Sequence, residues 1–363
     1  MASSVIAVNL LIFLQASAQD SKQPPVDTPP HVFLGYCMAG DAETPPAGID
    51  YSRFTHLCRA FLTHTDNGEL AVADSTAERN MTASAHQSGV RVLISAGHDF
   101  TALAGNRAAT NRYVAGLMKV IVEHDYDGVD LDWEHPGNAE ERDLHAAFLR
   151  RLRRELDVLG RQRRRRYELT AAVVPNQWLN VEAMNETLDF VNVMCYDMSG
   201  SWPAASAGHN SPLFPTSKDP SRGSTSAHMQ WWVDRGVPKR KLIVGLPLYG
   251  WMFSNFEIGE QVGEAKPPKH VGSLAYRGLP ALIAQGWIRE EDKEGRAPWF
   301  WSADRTRFIG MDDPKSIAEK SKWARDEGYR GVFFWQVAHD RMPDDAHPLL
   351  NAAAQVWPLP RDQ

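Results

Sequence analysis

The sequence predicts an α/β protein, a closed (β/α)8 (TIM) barrel with a small α+β insertion after strand seven. Three observations predict it. Eight short runs have strand character, and several are apolar almost throughout, as strands buried on both faces are. Helical patterns fill several gaps between them, and strands alternating with helices imply a parallel sheet. One gap, between Gly250 and Pro314, exceeds sixty residues, which is too long for a simple crossover.

The strand runs are His31 to Cys37, Phe54 to Thr63, Arg91 to Ala96, Gly128 to Trp133, Glu168 to Val174, Phe190 to Tyr196, Lys241 to Leu248 and Gly331 to Val337. Val114, Leu117, Met118, Ile121 and Val122 fall on one helical face. Leu149, Leu152, Leu156 and Leu159 fall on another, and Gly160 is expected to end that helix. The basic run Arg161 to Arg166 then reads as a solvated turn. Ser316 with Glu319 reads as a capping box opening a helix that stops near Gly328. The strand-like pieces Pro298 to Ser302 and Arg307 to Met311 make 251–313 an α+β insertion forming one wall of a cleft, within a catalytic domain over 31–357.

The chain has 363 residues, net charge −6 and 23% charged residues. That charge is too mild for a nucleic-acid partner. Residues 5–14 form an apolar run without a preceding Lys or Arg, and Ala16-Ser17-Ala18 follows. This reads as a signal peptide over 1–18, then a proline-rich linker over 19–30. The run is too short to span a membrane, so the protein is expected to be secreted, or periplasmic in a bacterium, with no membrane partner. The cysteines Cys37, Cys58 and Cys195 all fall in strand runs and read as buried apolar residues, with no disulfide expected.

The chemistry gathers in Tyr126 to Glu134, where Asp127, Asp130, Asp132 and Glu134 interleave with Val129, Leu131 and Trp133. On a strand, Asp130, Asp132 and Glu134 share one face and the apolar three share the other. Crowded carboxylates raise the pKa of at least one member, and an acid held protonated near neutral pH is what general acid catalysis needs. Two plainer readings compete. Asp130, Asp132, Glu134 and Glu141 fit calcium-loop positions one, three, five and twelve, but His135 stands at the turn glycine and a strand leads in where a helix should. A solvated acidic edge fits poorly with the apolar partners. Strand ends elsewhere carry Met194, Tyr196 and Trp335, and the chain has twelve Trp. Aromatics clustered at a barrel mouth suit stacking on sugar rings.

These residues resemble a family. Asp127-Gly-Val-Asp130-Leu-Asp132-Trp-Glu134 is similar to the signature of glycoside hydrolase family 18, the chitinases and their relatives. Ser95-Ala96-Gly97, Asn192 to Trp202, Gly208 to Leu213, Gly245 to Gly250 and Gly331 to Trp335 resemble further blocks of that family, in its order, from about residue 32 to 340. The resemblance implies a retaining, substrate-assisted hydrolase of β-1,4-linked N-acetylglucosamine, with no metal or cofactor, acting as a monomer on an oligo- or polysaccharide partner. It implies Glu134 as general acid, and Asp132 as the group orienting the 2-acetamido N–H. Asp130 would share a proton with Asp132, and Tyr196 would hold the acetamido group. Asp197, Trp335, Met194, Tyr36, Phe61, Trp202 and Tyr249 are the implied substrate contacts. His98-Asp99 replaces the Gly-Trp common in the family, and Trp251 stands where Arg is common. Two alternatives stay open: an endo-β-N-acetylglucosaminidase of N-glycan cores or peptidoglycan-like material, and a non-catalytic lectin of the same fold. About twenty residues follow strand eight, so no separate carbohydrate-binding module is expected, which favours soluble oligomers or accessible polymer.

Overall fold

The structure is a computed structural model, which describes residues 31–38, 48–71, 75–97, 99–219 and 223–358. The expected signal peptide and linker lie outside the described residues, as does His98.

Eight strands form the barrel: β1 Val32–Met38, β2 His56–His64, β3 Arg91–Gly97, β4 Gly128–Asp132, β5 Glu168–Val173, β6 Phe190–Val193, β7 Leu242–Pro247 and β8 Gly331–Trp335. Each pairs in parallel with the next, and β8 pairs with β1 through Val32 and Gly331, which closes the sheet. The alternation read in β4 sorts its side chains as expected. Val129, Leu131 and Trp133 join the layer between sheet and helices, with Leu117, Leu149 and Leu152. The opposite face looks into the barrel, where Leu34, Cys58, Leu93, Ile243 and Phe333 pack as an inner core. The C-terminal ends of the strands therefore form a mouth above that core.

All strand ends fall within two residues of expectation except that of β6. Tyr196 was expected inside it, yet the strand stops at Val193. The reason lies in what satisfies the next backbone groups. Ser211 Oγ donates to the Cys195 carbonyl at 2.6 Å, and the Asp197 N–H donates to Asn210 Oδ1 at 2.9 Å. A returning loop takes the bonds that a neighbouring strand would have made. All three cysteines are buried thiols, and Cys195 lies past the strand.

Two helix signals need correction. The helix Ala139–Arg163 runs through Gly160, and Arg164 takes the left-handed position at φ 56°. Gly160 serves a close approach instead, because a Cβ there would sit 2.7 Å from the Arg165 carbonyl oxygen. The basic run is also more than a solvated turn: Arg165 pairs with Asp125 and Asp127, and Arg166 with Asp189. The helix before β8, Pro314–Asp326, is capped by Asp313, with Ser316 as its reciprocal partner and Pro314 in the first turn.

After β7 comes an antiparallel sheet of Tyr249–Ser254, His270–Ala275, Ile288–Asp292, Ala297–Trp301 and Arg307–Gly310, with the helix Leu279–Ala284. Its Phe253, Trp299 and Phe308 pack on Ala205 and Ala207 of the loop after β6. Lys320, fully buried, clamps the same region: its Nζ lies 2.6 Å from Asp312 and 2.8 Å from Ser211 Oγ. Removing one partner of a buried pair strands the other charge. Lys320→Met is therefore expected to lower unfolding free energy by about 3–5 kcal/mol in guanidinium titrations. Lys320→Met/Asp312→Leu should recover most of it, and equal losses in both variants would refute the ion-pair account.

Candidate active site

The site grows from β4. Asp130 is fully buried, and each of its oxygens takes two donors. Oδ2 accepts from Tyr36 and Ser95 hydroxyls, both at 2.8 Å. Oδ1 accepts from Thr170 Oγ1 at 2.6 Å and Asn192 Nδ2 at 3.2 Å. Burial pushes the Asp130 carboxyl up, and those four hydrogen bonds work against the rise. Both plainer readings of the acids fail here. Asp130 and Asp132 are buried, so they are no solvated edge. The Asp130 oxygens face hydroxyl and amide donors, where a calcium ligand would face the ion.

Two residues on, Asp132 is 6% exposed at the barrel mouth. Burial first, then the charges of Glu134 and Asp130, and a side-chain hydrogen bond with Glu134 hold its carboxyl well above the usual range. The crowding argument thus selects Asp132 as a raised member. Asp130 is occupied by four donors, and among the charges that raise Asp132 that of Glu134 comes before that of Asp130. Asp132 Oδ1 is buried with no hydrogen-bond partner. Glu134 has left the strand, and its side chain is 48% exposed.

A cavity of about 630 Å3 opens above these acids. Asp132, Glu134, Tyr196 and Asp197 line it, as do Tyr36, Phe61, Met194, Trp202, Tyr249 and Trp335. Every site residue named from the sequence therefore borders the cavity, except Asp130, which lies beneath and holds Tyr36. Trp335 stacks on Phe61 with ring centres 5.6 Å apart and leans on Tyr36 at 5.5 Å. Two glycines make room for aromatic rings. A Cβ on Gly97 would sit 2.5 Å from the Phe61 ring, and one on Gly200 would sit 1.9 Å from Trp202.

Asp197 stands on the turn after β6 with φ 58°. Tyr249 Oη at 2.5 Å and Trp251 Nε1 at 2.8 Å both donate to its Oδ1. Burial raises the Asp197 carboxyl, and these two donors oppose the rise. Trp251, singled out in the sequence only as a departure, thus joins the site, and its ring meets Trp202 edge-on at 6.1 Å. Burial also pushes the Tyr196 hydroxyl well up, with Asp197 adding to it.

Sequence reasoning missed Ser95, Thr170 and Asn192, the remaining donors to Asp130. A signal existed: each is a polar residue within an otherwise largely apolar strand, where a buried polar group needs a partner. It also missed His135 and His228 in the cavity wall. His228 Nδ1 lies 3.2 Å from the Met194 carbonyl oxygen.

The model of Glycosyl hydrolases family 18 matches residues 33–340. The endochitinase of Manduca sexta is 26% identical over 337 residues, 80% of this chain and 59% of that protein. This chain thus spans about three fifths of that relative. The class V chitinase of Arabidopsis thaliana is 28% identical over 87% of both chains. The crystal structure of a family GH18 chitinase from Cycas revoluta in complex with allosamidin superposes with a TM-score of 0.79 at 26% identity, covering 90% of this chain and 99% of that one. With eight parallel strands closed around an acid-bearing β4 and a family match along most of its length, the chain belongs to glycosyl hydrolase family 18.

Proposed function

We propose that the protein hydrolyses β-1,4-linked N-acetylglucosamine chains, chitin or chitooligosaccharides, with retention and through the substrate's own 2-acetamido group. The observation that carries this reading is that Asp132 and Glu134 line one cavity, with Asp132 Oδ1 buried and without a hydrogen-bond partner. A buried carboxylate oxygen without a donor is costly, and an acetamido N–H would satisfy it. The chitinase names of the relatives support the same substrate.

The steps follow from the pair. The shared proton passes to Glu134 as Asp132 turns to the acetamido N–H. Glu134 protonates the glycosidic oxygen, the C1–O bond breaks, and the acetamido carbonyl oxygen bonds to C1. The resulting oxazolinium cation rests against the Asp132 carboxylate. Because the nucleophile is already part of the substrate, its effective concentration is high. Glu134, now a carboxylate, takes a proton from water, and the hydroxide opens the ring at C1 with the β configuration restored. Tyr196 and the Asp197 carboxylate, pinned by Tyr249 and Trp251, line the same cavity and would flank the acetamido arm. The Trp335–Phe61 stack offers an apolar floor for a sugar ring. The apolar run at 5–14 with Ala16-Ser17-Ala18 supports export of the protein.

Glu134→Gln is expected to cut kcat on chitooligosaccharides by roughly 10²–10⁴-fold while oligosaccharide binding persists. Near-normal turnover would overturn the assignment. Binding without turnover in the wild type would favour a lectin, and turnover on glycoprotein cores alone would favour the other endo-acting class. Trp251→Phe removes one donor to Asp197 and should lower kcat/KM by roughly 10–100-fold, as hydrogen bonds to charged groups do. No change would exclude that donor from the site's function.

Asp132 also costs stability. A carboxyl raised in the folded state destabilises the fold as pH climbs from the unfolded pKa through the folded one. Asp132→Asn should therefore raise Tm at neutral pH, and that advantage should vanish in acid, where both states are protonated. A lower Tm at neutral pH would contradict the crowding argument.

A further inference from the structure

We propose that Asn210 is a positioning residue for the reaction: its carboxamide fixes the backbone at both ends of the Tyr249–Asp197 hydrogen bond and so aims the Asp197 carboxylate into the cavity. This rests on the reading of Asp197 as a flank of the acetamido arm. Asn210 is 1% exposed and stands behind the cavity wall, so it acts through other residues.

The hydrogen bonds form a ring. Asn210 Oδ1 accepts from the Asp197 N–H at 2.9 Å, and Nδ2 donates to the Tyr249 carbonyl at 2.9 Å. The Tyr249 hydroxyl donates to Asp197 Oδ1 at 2.5 Å, which closes it. The Asn210 carbonyl also accepts from the Met198 N–H at 3.1 Å, so two successive amides of the Asp197 turn end on one residue. The partners of the side chain dictate its type. A backbone N–H only donates and a backbone carbonyl only accepts, and a neutral carboxamide serves both at once. Asp197 also holds a left-handed conformation at φ 58°, which is costly for a residue with a Cβ and persists when its surroundings enforce it.

Asn210 itself has little room to give way. The His209 N–H before it donates to Asp219 Oδ2 at 2.6 Å. Ser211 after it donates to the Cys195 carbonyl at 2.6 Å and accepts from Lys320 at 2.8 Å. The insertion closes the remaining side, where a Cβ on Gly310 would sit 3.0 Å from the Asn210 backbone nitrogen. With both neighbours pinned, a change in the carboxamide is felt at Asp197 and Tyr249. A misplacement of about 1 Å at a reacting centre costs on the order of 10²-fold in rate.

Asn210→Asp keeps the shape and the acceptor and loses the donor to Tyr249. It is expected to lower kcat on chitotetraose by roughly 10–100-fold with KM nearly unchanged, because the aimed carboxylate serves the transition state. Asp197→Asn removes the charge to be aimed, and in that background the same substitution should cost little more. Equal fold-losses in the two backgrounds would mark a general structural role and overturn the proposal. A second arm needs no turnover. Trp251 also donates to Asp197 Oδ1, so its indole N–H signal, identified by its loss in Trp251→Phe, should shift in NMR spectra of Asn210→Asp. A signal that stays in place would refute the positioning role. If it shifts while wild type cleaves no chitotetraose, the positioning stands and the assigned substrate is what fails. Asn210→Ser, smaller and uncharged, carries both arms if Asn210→Asp does not fold. Failure of both variants to fold would assign Asn210 to the fold alone, against the proposal.

Discussion

A carboxylate with no access to water organises the barrel interior. Asp130 brings a charge into the inner core, where an unpaired one would cost several kcal/mol. Donors from β1, β3, β5 and β6 converge on it through Tyr36, Ser95, Thr170 and Asn192. Half the strands of the barrel thus have a polar side chain pointed at one residue. Asn192 also donates to the Tyr36 hydroxyl at 3.0 Å, so the donors are bound to one another as well as to the acid. A network satisfied to this degree is rigid, and it fixes the base on which Asp132 and Tyr36 stand.

The upper half of the site is built by a different device. The chain after β6 abandons the sheet, and Asn210 and Ser211 of the returning loop take over its backbone bonds. Asn210 Nδ2 in turn donates to the Tyr249 carbonyl at 2.9 Å, which ties this loop to the strand that supplies Tyr249 and Trp251. Asp197 is therefore placed by two segments far apart in sequence. Lys320 reaches the same loop from the helix Pro314–Asp326 through Ser211.

Most of the barrel was legible because each strand is short, apolar and bounded by turn residues, and because β4 alternates cleanly. The cavity-lining residues were legible through the resemblance to family 18, many of whose motifs lie at strand ends. What sequence could not give was pairing. That Asp130 is filled by three hydroxyls and an amide depends on distances between strands. The same holds for Trp251, whose indole reaches Asp197 across 54 positions of sequence. The end of β6 was misplaced because a tertiary partner, the Ser211 loop, outvoted the local signal, whereas at Gly160 and Asp313 the deciding groups are local: the Arg165 carbonyl and the reciprocal bond from Ser316.

The insertion rests mainly on the loop after β6, and it departs from β7, which neighbours β8. The acids leave from β4, across the barrel from β8. Proton chemistry and the aromatic wall therefore occupy separate sectors of one ring, joined mainly through Asp197. Such a layout is modular in the evolutionary sense. Drift in the insertion can reshape the cleft for chains of another length or decoration, while the residues that hold the proton go on unaltered.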